Sequence, residues 1–244
     1  MSRARRGGEG GRSESSWVLT CEHAGYALPR EYGTLGLARV DLRDHIGWDI
    51  GAGAVMKEVA GRLAVPSVAS RYSRLLVDLN RAPDEESLIP AHSDGRQVPG
   101  NERLTTLERR RRLALYYEPY HDRVDRMVAR ARRTADGRTV RLLSVHSFTP
   151  AMNGRTRPFD LGVLFDDHEP LARRLGVALK RQGFRVRYNE PYSGIDGLIY
   201  SARRHGRAHG IPYVELEVNN KLVRSDAACA AIGRRIAAAV REVA

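Results

Sequence analysis

Trp17-Val18-Leu19-Thr20-Cys21-Glu22-His23-Ala24-Gly25 passes from a short apolar run into a carboxylate, an imidazole and two small residues. The run reads as a buried strand that stops where the polar residues begin. The pattern recurs. Thr139 to Val145 is a strand ending at His146-Ser147, and Tyr213 to Val218 is one that carries Glu217 and leads to Asn219. Pro66 to Ala69, Leu75 to Leu79, Asp160 to Phe165 and Phe184 to Tyr188 complete the predicted strands.

Helices alternate with these strands. From Trp48 to Ala64, apolar residues recur at helical spacing through Ile50, Ala54, Val55, Val59 and Leu63, with Asp49 in the first turn. Thr106 to Ala135 is a long helical region that Pro119 kinks or interrupts. Pro170 to Gln182 is a helix closed by Gly183, and Tyr200 to His209 a short helix leading through Gly210 into the next strand. The last helix starts at Ser225 or Asp226, both good N-caps. Such alternation predicts a three-layer α/β/α sandwich around a mostly parallel, mixed sheet. Residues 1–16, dominated by Gly, Ser, Arg and Glu, read as a disordered basic tail, leaving 17–244 as a single domain.

With 244 residues and 42% hydrophobic content, the chain can bury a full core without staples, so Cys21 and Cys229 are expected as reduced, buried thiols. No apolar run reaches the roughly 20 residues needed to cross a bilayer. The basic N-terminus carries no apolar h-region, so a cytoplasmic location is expected. The net charge of +12 raises the alternative of a basic nucleic-acid-binding protein. Only Lys57, Lys180 and Lys221 are lysines, however, and the arginines are spread over many elements with no RNA-binding aromatic motif. No nucleic-acid partner is therefore expected, and the same charge suits attraction of small anionic substrates.

Glu22 with His23, Asn80 with Arg81, His146 with Ser147, and Glu217 with Asn219 all fall at C-terminal ends of predicted strands, where open α/β sheets form their ligand crevice. Metal-assisted hydrolysis needs about three protein ligands and an open position. His23 and His146 are the best-placed ligands, with Asp49, Glu22 and His121 competing for the third place. In Val214-Glu215-Leu216-Glu217-Val218 the two glutamates share one strand face; they line a crevice or, more blandly, a solvated edge. A carboxylate beside a metal can serve as base and then acid. Arg71, Arg74 and Arg81 flank Leu75 to Leu79, and arginine forks two hydrogen bonds onto a carboxylate. If that segment is a straight strand, Asp78 and Asn80 share a face and Asp78 can orient Arg74 or Arg81. Residues 82–103 form a long proline- and glycine-rich loop of the kind that makes lids and binding walls.

CEHAG at 21–25, WDIGA at 48–52, SRLLVDLNRAP at 73–83, PGN at 99–101, EPYH at 118–121, SVHSFTP at 144–150, RPFDLGVLF at 157–165, NEPYSG at 189–194 and VELEVN at 214–219 occur in one order and spacing. In these stretches the chain resembles the N-formylglutamate amidohydrolase family over nearly all of 17–223. That family looks like a distant relative of zinc carboxypeptidases and of the succinylglutamate desuccinylase and aspartoacylase group. The resemblance implies a phosphorylase/hydrolase-like fold and one zinc ion per chain. It implies His23, Asp49 and His146 as zinc ligands, Glu217 as general base and acid, and Arg74 as the oxyanion partner. Asn80 and Arg81 would bind the substrate carboxylate, with Arg71, Asn189 and Tyr192 as further substrate contacts.

The implied reaction is hydrolysis of N-formyl-L-glutamate, a small anionic N-acyl amino acid, to formate and L-glutamate, as in histidine degradation. Alternatives are another N-acyl amino acid or a short peptide. Two departures stand out. The wider group's His-x-x-Glu ligand pair is absent, because Tyr26 stands three residues after His23. Tyr192 to Tyr200 also replaces the Gly-Gly-Tyr-Ile-Thr-Arg type segment of established deformylases.

Overall fold

The computed structural model describes residues 15–243. The tail expected over 1–16 lies outside them, apart from Ser15 and Ser16, which open the first strand. Six strands form the central sheet: β1 (Ser15–Cys21), β2 (Ser67–Ala69), β3 (Thr139–Phe148), β4 (Leu161–Leu164), β5 (Val186–Tyr188) and β6 (Tyr213–Asn219). Their spatial order is β2-β1-β3-β6-β4-β5. β2, β1, β3 and β6 run parallel, β4 pairs antiparallel with β6, and β5 runs parallel to β4.

The helices are α1 (Ala52–Leu63), α2 (Thr106–Arg112), α3 (Glu118–Thr134), α4 (Glu169–Arg181), α5 (Tyr200–His209) and α6 (Asp226–Glu242). Alternation along each strand sends side chains to opposite faces, so each face carries its own apolar cluster. Leu19, Val145 and Leu216 pack with α1, α4 and α6. Val18, Leu142 and Tyr213 pack with α3 and α5. The result is the expected three-layer sandwich. Ser225 caps α6 by accepting from the Ala228 N–H, and Gly210 closes α5 in the left-handed conformation. Cys21 and Cys229 are buried free thiols. No helix among the described residues is long and apolar enough to cross a membrane.

Two local expectations are corrected. Leu75 to Leu79 is buried loop rather than strand. The Leu75 N–H donates to Ser73 Oγ, Leu76 N–H to the Ser73 carbonyl and Asp78 N–H to the Leu88 carbonyl, so local bonds replace a sheet ladder. Asp78 and Asn80 therefore share no strand face. By contrast, the Thr106 to Ala135 region is helical and interrupted as expected, with a π-helical turn at Leu113–Tyr117 between α2 and α3. Pro119 has no N–H to return to Leu115, and the wider turn stands just before it. Finally, Asp49 precedes α1 rather than standing in its first turn. Gly51 takes φ +78°, a left-handed conformation that suits glycine, and the helix starts only at Ala52.

Candidate active site

The polar residues of the site grow out of strand periodicity. Val18, Thr20 and Glu22 alternate along β1 and the residue after it; Leu142, Ser144 and His146 do so in β3, and Tyr213, Glu215 and Glu217 in β6. Registry sets Thr20 and Glu215 on either side of Ser144, and Glu217 beside His146. The lower, apolar members pack under α3 and α5, and the upper, polar members meet at the C-terminal edge. Glu215 and Glu217 are 2% and 4% exposed on a strand with neighbours on both sides, which rules out the solvated-edge reading.

Asp49 is brought in by backbone bonds. Its N–H donates to the His23 carbonyl at 3.0 Å, the Ser147 N–H donates to its Oδ2 at 3.2 Å, and Ser147 Oγ donates to the Ile50 carbonyl at 2.9 Å. These bonds hold Asp49 Oδ2 3.4 Å from His23 Nδ1 and 2.8 Å from His146 Nδ1. The opposite ring nitrogens are occupied by other carboxylates: His23 Nε2 lies 2.7 Å from Asp78 Oδ1, and His146 Nε2 lies 3.0 Å from Glu22 Oε2. His23 Nδ1 is buried and has no hydrogen-bond partner among the described residues. An orphaned imidazole nitrogen aimed at a carboxylate and a second imidazole is a donor set that fits a divalent metal. One ligand atom each from His23, Asp49 and His146 falls within a 4.8 Å span.

The other two candidates for the third ligand point elsewhere. Glu22 bonds the outer nitrogen of His146. His121, buried on α3, pairs through Nδ1 with His205 Nε2 at 2.8 Å.

Around this cluster lies a cavity of about 190 Å³ whose wall includes Arg74, Arg81, Tyr192, Glu215 and Glu217. Arg74 is held by Asp78 Oδ2 at 2.7 Å, with Asp49 Oδ1 3.7 Å away. Burial acts against its charge, but Asp78 and Asp49 outweigh it and hold the guanidinium firmly protonated. Burial pushes the Glu217 carboxyl well above the usual carboxylate range, and Glu217 Oε2 has no partner among the described residues. Burial also raises Glu215, to about 7. For Asp49 burial acts upward, but His23 and His146 prevail and keep it ionised. The cavity thus brings together a buried carboxyl with high proton affinity, a fixed cation and a compact nitrogen–oxygen donor set.

The expected substrate contacts divide. Arg81 and Tyr192 line the cavity. Asn80 lines it too, but its amide is committed: Nδ2 donates to Glu215 Oε2 and the Leu198 carbonyl, and Oδ1 accepts the Ser201 N–H. Arg71 is misplaced by the sequence reading, because it borders a separate cleft beside Tyr72 and Arg123. The strand that would have carried it toward Arg81 does not exist. Asn189 is likewise corrected. Its Oδ1 accepts from the Phe165 and Gly194 N–H groups, which fixes a turn outside the cavity.

Missed in the sequence were His45 and Asp94, which join across the cavity wall at 2.8 Å. Asp94 sits in the hairpin His92–Gln97 of the 82–103 loop, which Arg96 ties to Asp41 and Asp44. The lengths of the intervening loops gave no signal for that pairing.

A search of curated proteins returned no match. A solved structure of a gene product from Agrobacterium tumefaciens is 34% identical, with a TM-score of 0.88 over 94% of this chain and 91% of that one. The structure of an N-formylglutamate amidohydrolase from Ralstonia eutropha JMP134 is 19% identical and shares the fold, with a TM-score of 0.70 over 94% of this chain and 92% of that one. The family model described as N-formylglutamate amidohydrolase matches residues 15–224, which span every residue of the site, and the chain belongs to that family of amidohydrolases.

Proposed function

We propose that the chain is a zinc-dependent amidohydrolase that cleaves N-formyl-L-glutamate, or a closely similar N-acyl amino acid, to formate and L-glutamate. The observation that carries this reading is the convergence of both histidine Nδ1 atoms on Asp49 Oδ2 while separate carboxylates occupy both Nε2 atoms. Zinc bound by His23, Asp49 and His146 would supply Lewis acidity at the scissile carbonyl and lower the proton affinity of nearby water.

The other roles belong to the chain's own residues. Glu217, whose carboxyl is pushed up by burial, takes the proton of the attacking water and returns it to the amine nitrogen as the C–N bond breaks. Arg74, fixed by Asp78, donates to the carbonyl oxygen as that oxygen gains charge. With the Asn80 amide committed, Arg81 takes the substrate carboxylate, and Tyr192 lines the wall beside it. Phe148, Met152 and Leu198 add an apolar wall to the cavity, which supports a second reading in which the acyl group is larger than formyl.

The test is metal analysis of the purified protein and of His146→Ala, together with assays for formate, acetate and succinate release over an N-acyl amino acid panel. One zinc per chain, lost in the variant, with formate as the main product, is expected. Absence of metal from both proteins would remove the metal-dependent reading; preferential release of a larger acid would move the substrate to the second.

A further inference from the structure

Glu22 is 1% exposed and accepts four hydrogen bonds, two on each oxygen. Oε1 receives Tyr120 OH at 3.0 Å and Ser201 Oγ at 2.7 Å. Oε2 receives Ser144 Oγ at 2.6 Å and His146 Nε2 at 3.0 Å. An ionised carboxylate offers about four lone-pair positions, so none is left for a metal. The donors come from three elements of the fold: Ser144 and His146 from β3, Tyr120 from α3, and Ser201 from the first turn of α5.

A buried carboxylate is strongly destabilising unless it is fully paired, so packing alone does not explain this residue. Its geometry does. A carboxylate only accepts, so the shared bond places a proton on His146 Nε2. The bond also fixes the ring plane from the corner opposite Nδ1. Nδ1, which donates to Asp49 Oδ2 at 2.8 Å here, is then the nitrogen that would give up its proton and turn its lone pair to a metal.

We infer that Glu22 is the positioning residue of His146: it sets the tautomer and orientation that present Nδ1, and Tyr120 and Ser201 tie that orientation to the seating of α3 and α5 on the sheet. The inference rests on the proposed reading in one respect only, that Nδ1 is the ligating atom. Asp78 stands in the same relation to His23, but it is shared with Arg74. Glu22 accepts from hydroxyls and from His146, with no arginine among its donors.

The test uses the full chain, labelled with nitrogen-15 histidine, as wild type, Glu22→Gln and Tyr120→Phe. Zinc affinity is measured by chelator competition, and the His146 Nε2–H resonance, identified by its loss in His146→Ala, is followed by NMR. Wild type should show a downfield, exchange-protected Nε2–H signal. Glu22→Gln should shift or lose it and weaken zinc binding by about 10- to 100-fold. Tyr120→Phe keeps the carboxylate but removes one of its donors; it should move the signal and weaken zinc roughly two- to fivefold.

Wild-type zinc affinity with an unmoved Nε2–H signal in Glu22→Gln overturns the inference. If that variant does not fold, an unmoved signal in Tyr120→Phe overturns it. The Nε2–H signal is also expected in metal-free protein, because Glu22 accepts that proton at 3.0 Å whether or not a metal is bound, with Glu215 Oε2 farther off at 3.6 Å. A wild type that binds no zinc but shows the signal therefore defeats the metal reading and leaves the positioning role standing. A missing signal defeats the positioning role itself.

Discussion

His23 and Arg74 share one carboxylate: Asp78 Oδ1 lies 2.7 Å from His23 Nε2, and Asp78 Oδ2 lies 2.7 Å from Arg74 Nη2. The candidate metal ligand and the candidate oxyanion donor are thus oriented by a single side chain, itself held by the Asn80 N–H at 2.9 Å. Asp78→Asn keeps the shape and removes the charge. It should lower metal affinity by about 10- to 100-fold and reduce kcat as well, because Arg74 loses its anchor. Chelator competition and steady-state kinetics measure the two effects separately. Loss of metal affinity with kcat preserved at saturating zinc would confine Asp78 to the histidine.

Glu217 is the group on which turnover should depend most sharply. It is buried, faces the cavity, has one oxygen without a partner, and its carboxyl is pushed upward by burial. Glu217→Gln removes the proton carrier without changing volume, and kcat should fall by about a hundredfold or more with zinc content unchanged. Near-normal turnover in that variant would transfer the role to Glu215.

Two buried histidines outside the site should govern acid stability. His121 Nδ1 meets His205 Nε2, and His205 Nδ1 meets Asp125 Oδ1 at 2.7 Å, a chain that pins α3 to α5. Burial, and then the charge of Arg204, holds His121 well below its ordinary value of 6.5. Burial likewise lowers His205, against the pull of Asp125. Between the depressed folded values and 6.5, the unfolded chain binds more protons than the folded one. Their contribution is therefore fully present above pH 6.5 and is lost as pH falls below it, at up to about 1.4 kcal/mol per pH unit for each group. Glu215 and Glu217, raised in the fold, act with the opposite sign in this window, so the test is the difference between proteins. In urea unfolding at pH 7.5 and 5.5, His121→Phe should lose about one proton of acid destabilisation relative to wild type. An unchanged slope would place the acid sensitivity elsewhere.

The division between what could and could not be read in the sequence follows the physics of each segment. β1, β3 and β6 announce themselves because period-two alternation and burial act within a few residues, and Glu22, His146 and Glu217 are placed by that same alternation. Leu75 to Leu79 has a strand's composition, yet Ser73 just before it and Leu88 ten residues past Asp78 take its backbone groups, and composition does not record which partner a backbone group takes. That one error carried Arg71 into the site and gave Asp78 the wrong geometry. Of the two arginines offered for Asp78, Arg74 is the one it holds, because the turn brings residues four apart together. His45 with Asp94, 49 positions apart, had no local signal at all.

Asn101 explains why the 82–103 loop is held down although it contains little regular structure. Its Nδ2 donates to the Leu75 and Pro90 carbonyls at 2.8 Å each, and its Oδ1 accepts Arg112 Nη1 at 2.7 Å. Asn101 and Arg112 are 4% and 2% exposed, so Asn101→Ala leaves two carbonyls and part of a guanidinium without partners away from water. The cost should be about 2 to 4 kcal/mol, or a Tm lower by roughly 5 to 15 °C for a chain of this size. The same change loosens the hairpin that carries Ser93 and Asp94 onto the cavity wall, so KM should rise more than kcat falls. Thermal unfolding and steady-state kinetics on one preparation check both effects. A destabilised variant with unchanged KM would separate the loop's anchoring from substrate binding and leave Arg74, Arg81 and Tyr192 as the wall that matters.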